Sequence, residues 1–72
     1  MWYAAALEKE THPLVQWMDG YIRKTGILIG SSTARVPGVA ETYKAMVLDV
    51  FDSSGHIVSL ETWRVSLVPS DA

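Results

Sequence analysis

The sequence predicts an all-β fold, a small antiparallel and partly open barrel, and three observations predict it. The 17 β-branched residues together with the seven aromatics outweigh the six leucines, and such side chains suit a pleated, half-buried surface. Five glycines and three prolines cut the chain into short pieces, too short for long helices. Two turn signals, Asp19-Gly20 and Asp52-Ser53-Ser54-Gly55, each lie between apolar-rich runs. At 72 residues and 49% hydrophobic content, the expectation is one domain, residues 1–72, with enough apolar material to fold.

From the N-terminus, Met1 to Leu7 is apolar but only seven residues long, and Glu8, Lys9 and Glu10 follow at once. It has neither the charged start nor the length of a signal peptide, and no run approaches the roughly 18 apolar residues of a membrane span. A soluble, non-exported, cytoplasmic chain without membrane contact is the expectation. As a strand, Met1 to Leu7 would pair edge to edge with a neighbouring molecule. A two-residue turn at Asp19-Gly20 would pair Met18 with Tyr21 and Trp17 with Ile22. Thr25 to Ile29 reads as a continuation of that hairpin or as a separate short strand. Gly30 to Val39 has no strong apolar period and reads as an exposed loop.

The clearest unit is Val47 to Val68, a hairpin closing between Phe51 and His56 with Gly55 in the left-handed position. That register sets Val50 against Ile57 and Val47 against Leu60, and brings Lys44 near Trp63. An α+β alternative, with one or two helices on an antiparallel sheet, also fits. Leu14, Trp17, Met18, Tyr21 and Ile22 would share one helical face within residues 11–24, and Val39, Tyr43, Met46, Val47 and Val50 another within residues 39–51. Thr11 and Pro13 suit a helix start and Gly26 a helix end. Against it, Gly20 in mid-helix costs about 1 kcal/mol relative to Ala.

The pattern Thr25-Gly26-Ile27-Leu28-Ile29-Gly30, then Tyr43-Lys44-Ala45-Met46-Val47, then Trp63-Arg64-Val65-Ser66-Leu67-Val68 resembles small Src-homology-3-like β-barrel proteins encoded by tailed phages. The likeness spans positions 26 to 68 and lies in strand-and-turn spacing. It implies a barrel that binds partners or builds assemblies, in the host cytoplasm or in a virion, and it carries no catalytic residues.

The residues offer little chemistry. With no cysteine there is no thiolate nucleophile or thiolate zinc site. Gly26 to Thr33 superficially resembles a phosphate-binding loop, but its spacing is one residue short and the lysine is missing. His12 and His56 stand 44 positions apart, without metal-ligand spacing, so no metal or cofactor is expected. Asp52, Ser53, Ser54 and His56 contain the residue types of a hydrolytic triad, but neighbours in one tight turn cannot aim at one another. The chain is also too short to build a deep cleft between paired carboxylates.

A non-enzymatic interaction module is therefore the expected function: a self-associating or protein-binding domain, an accessory structural component of a phage or mobile-element assembly. Trp2, Tyr3, Trp17 and Trp63 are the candidate interface residues, because large rings anchor interfaces. The alternative is a nucleic-acid-associated regulatory protein in which Arg23, Lys24, Arg35 and Arg64 gather on one face. A net charge of −2 argues against nucleic acid, since phosphate binding rewards excess Lys and Arg.

Overall fold

The computed structural model describes residues 1–38 and 40–69. A helix, α1 (Trp2–Lys9), precedes five strands: β1 (Leu14–Asp19), β2 (Ile22–Pro37), β3 (Thr42–Asp52), β4 (Ile57–Glu61) and β5 (Val65–Leu67). All ladders are antiparallel and form one sheet in the order β4-β3-β2-β1-β5. A single 3₁₀ turn, η1 (Thr62–Arg64), joins β4 to β5.

That short link dictates the shape. Laid flat, the two edge strands of a five-stranded sheet would stand about 19 Å apart, four gaps of about 4.8 Å. Three residues of 3₁₀ helix advance only about 6 Å. The sheet therefore curls until its edges approach, and because β4 and β5 share no ladder the barrel stays open. The core fills the concave side: Val15, Trp17, Leu28, Leu48, Val50, Leu60 and Val65 are buried together.

Helix α1 closes over this core. Trp2, Tyr3, Ala6 and Leu7 recur at helical spacing and are the residues that pack against it. An eight-residue helix is marginal in isolation, so this contact rather than propensity holds it. Met1 to Leu7 is thus no strand, and the edge pairing expected of it has no basis. The helix ends at Glu10 in the left-handed region, with the Glu10 and Thr11 N–H groups donating to the Leu7 and Ala6 carbonyls.

Neither helix of the α+β alternative forms. Residues 14–19, 22–37 and 42–52 are strands. Gly30 to Pro37, expected as loop, continues β2 and pairs with β3 as far as Pro37 and Thr42. The expected loop and the 39–51 helix each include Val39, which lies outside the described residues. The Gly30 to Pro37 segment has weak apolar periodicity because Val36 is its one buried residue.

Both hairpin registers differ from expectation. In the first, Asp19 pairs with Ile22 and Trp17 with Lys24. The turn is Gly20-Tyr21, with Gly20 at φ 64°, and glycine at the first central position matches a type II′ turn. In the second, Asp52 N–H donates to the His56 carbonyl at 2.8 Å, leaving a three-residue loop. Val50 then faces Val58, Val47 faces Glu61 and Leu48 faces Leu60. That one-residue slip exchanges the two faces of β4. The long partner strand expected over His56 to Val68 breaks at η1, and Val65–Leu67 pairs with β1 instead.

Candidate interaction surface

The register creates a surface that composition alone does not show. Leu14 pairs with Ile27, Ile27 with Phe51, and Phe51 with Ile57. On the other flank Val68 N–H donates to the Leu14 carbonyl at 3.2 Å. Directly opposed residues share a face, so Val68, just past β5, and Leu14, Ile27, Phe51 and Ile57 on β1 to β4 form one apolar row across the convex side. Leu14, Ile27, Phe51 and Ile57 are exposed, Ile57 the most at 66%.

Polar rows flank this band. Toward the β1–β2 turn lie Gln16, Thr25 and Ser66, paired in register. On the other side the Asp49 carboxylate accepts the Ser32 and Ser59 hydroxyls at 3.1 and 2.9 Å. An apolar centre with a polar rim is the anatomy of a protein interface. Five hollows in the surface hold only about 240–310 Å³ each, at or near the lower end for small-molecule sites.

The candidate aromatics divide. Trp17 is 5% exposed and belongs to the core, so it cannot serve as a surface anchor. Trp2 and Tyr3 are half-buried, edge to face at 5.6 Å, and hold α1 to the barrel. Trp63 alone of the four stands out from the surface, at 67% exposure on η1.

The candidate basic residues divide as well. Arg23 and Lys24 lie on β2 opposite Met18 and Trp17. Arg64 comes to the same end of the barrel, donating to the Met18 carbonyl at 3.3 Å and pairing with Glu61 at 3.4 Å. Lys24 meets Asp19 at 3.8 Å. Arg35 is 11 residues further along β2, opposite Lys44. The expected four-residue basic face does not assemble.

Asp52 organises the β3–β4 turn. Its carboxylate accepts the Ser54 and His56 backbone N–H groups, both at 2.9 Å. The His56 N–H, chiefly, holds the carboxyl below its usual 3.8 against an opposing cost of desolvation, and the Ser54 N–H and the nearby His56 and Lys24 charges add to the lowering. These contacts are turn chemistry, and no nucleophile is aimed at a base. Among the described residues no three His, Cys, Asp or Glu side chains gather as a metal site, and no helix is long and apolar enough to cross a membrane.

Comparison with protein-family models, with curated proteins and with solved structures returned no match.

Proposed function

We propose that this chain is a non-enzymatic interaction module that associates through the band Val68-Leu14-Ile27-Phe51-Ile57, either with itself or with a protein partner. The observation that carries the proposal is the band: an uninterrupted apolar row on the convex face of an otherwise ordinary sheet. Leaving such a row in water forgoes about 25 cal/mol for each Å² of apolar surface it could bury. No charged side chain interrupts it, so covering it carries no ionic desolvation cost.

The open five-stranded barrel also supports the resemblance to Src-homology-3-like phage proteins. On that reading the module is an accessory structural component, working in the host cytoplasm or in a virion. The nucleic-acid reading has weaker support, because Lys24 and Arg64 are already paired with acids and Arg35 stands apart.

Sedimentation velocity of the wild type against a Phe51→Thr, Ile57→Thr double variant tests the band. Threonine keeps strand propensity while removing the apolar row. Association of the wild type, with itself or with a captured partner, should be lost in the variant while its circular dichroism stays unchanged. A variant that associates like the wild type refutes the proposal.

A further inference from the structure

The β2–β3 hairpin outlasts its neighbours. β1 pairs with β2 only up to Leu14 and Ile27, and β4 pairs with β3 only from Val47 and Glu61 onward. Beyond those rungs the two strands continue as a ribbon to Pro37 and Thr42. On the β4 side, Thr42–Met46 has no strand beside it among the described residues. Antiparallel ladders direct alternate residues to opposite sides. Asp52 directs its N–H to the β4 side, so in two-residue steps from it Lys44 and Thr42 turn both N–H and C=O to the empty side and Met46 turns its N–H there, the Met46 carbonyl facing Thr62 at the last rung.

Charge selects the occupant of this edge. Arg35 and Lys44 are opposed in the ladder, and like charges in that position repel. Neither forms a salt bridge among the described residues. A third strand would place one residue opposite Lys44, and a carboxylate there would relieve the repulsion. A second copy of this edge is a poor occupant, since twofold pairing centred on Lys44 would set lysine against lysine. Apolar contact is available on both sides of the lysine: Tyr43 and Met46 are exposed, and η1, which touches β3, carries the exposed Trp63.

We propose that the free edge of β3, Thr42–Met46, takes up an extended peptide segment of another protein by strand addition, with Asp or Glu facing Lys44. A nucleic-acid phosphate could meet Arg35 and Lys44, but it only accepts hydrogen bonds. The edge presents carbonyls as well as N–H groups, and a peptide backbone matches both. This site shares no residue with the apolar band and stands or falls separately from it.

The probe is an acetylated, amidated heptapeptide of alternating threonine and valine with a central glutamate. The same peptide with a central lysine and a thymidine oligonucleotide serve as comparisons. Titration into the isotope-labelled chain, read by amide shifts and hydrogen exchange, should protect the Lys44 and Met46 amides. The glutamate peptide should bind about three- to tenfold tighter than the lysine peptide, and Lys44→Glu should reverse that preference with an unchanged circular dichroism spectrum. Three results would overturn the proposal: no protection of these amides at millimolar peptide, a preference that survives Lys44→Glu, or an oligonucleotide that binds at Arg35 and Lys44 and excludes the peptide.

Discussion

Gly26 shows how one residue can be fixed by its neighbours rather than by its own backbone. A Cβ placed there would lie 2.6 Å from the Phe51 carbonyl oxygen, 2.7 Å from Val50 Cγ1 and 3.2 Å from the Trp17 ring. The carbonyl belongs to the ladder and cannot retreat, so Gly26→Ala should cost roughly 1–3 kcal/mol in urea denaturation; a loss within 0.5 kcal/mol, the usual surface range, would show that the sheet accommodates the methyl. Gly55 is different: its Cβ would meet nothing, but its φ is 87°. Gly55→Val should therefore lose about 1–2 kcal/mol from backbone strain, and Gly55→Asn less. The sequence announces Gly55, because turn chemistry is local, and hides Gly26, because its constraint comes from residues 9 and 24 to 25 positions away. Asp52 adds a pH signature to the same turn. Its folded pKa lies below 3.8, so its contribution is present above the unfolded value and lost as pH falls through the folded one. The stability gap between wild type and Asp52→Asn should be open near neutral pH and narrow as the pH falls below 3.8 toward the lowered folded value. A gap that does not change with pH would remove the carboxylate from the account.

Among the elements, β1, β3 and β4 were legible, and the outer half of β2 and the helix α1 were not. β1, β3 and β4 place apolar residues on the concave side, and the sequence shows their pattern. The outer half of β2 pairs only with β3, so Ser31, Ser32 and Thr33 face little that would demand hydrophobic residues, and the segment reads as loop. The N-terminal helix was missed because Trp2, Tyr3, Ala6 and Leu7 carry its period within a run too short to separate helix from strand. Both register slips have a local cause. The type II′ turn centres on Gly20-Tyr21, and the Asp52 carboxylate ties Ser54 and His56 into a three-residue loop. The apolar band could not be read beforehand, since a one-residue error in β4 places Ile57 on the wrong face. The helix also reverses an expectation about the terminus. Removing residues 1–9 should expose the core rather than merely detach a neighbour, giving dye binding and a loss of near-ultraviolet dichroism. A truncated chain with the wild-type unfolding midpoint would mean that α1 is dispensable.

For the whole molecule the decisive quantity is the ratio of core to exposed apolar surface. Among the described residues nine hydrophobic side chains are buried, while Leu14, Ile27, Phe51 and Ile57 remain exposed in one row. A single core in a chain of this size rarely supplies more than about 3–5 kcal/mol, and no disulfide can add to it. The band is suited to self-association. A twofold axis lying along it brings each of its residues against the same row of a second copy, and such isologous pairing closes at two chains. It also sets the Gln16, Thr25 and Ser66 row of one copy against the Asp49, Ser32 and Ser59 row of the other, so polar groups meet polar groups at the rim. A standard interface covers about 800 Å² per partner, a minor part of the chain's 5279 Å² accessible surface. The wild type should therefore form a dimer in light scattering, and its unfolding midpoint should rise with protein concentration, because binding that requires the folded state stabilises it by mass action. Phe51→Thr with Ile57→Thr should abolish both effects, whereas Lys44→Glu, on the separate β3 edge, should leave both intact. A wild-type chain that stays monomeric at high micromolar concentration, with a concentration-independent midpoint, would exclude self-association and leave a different protein as the occupant of the band.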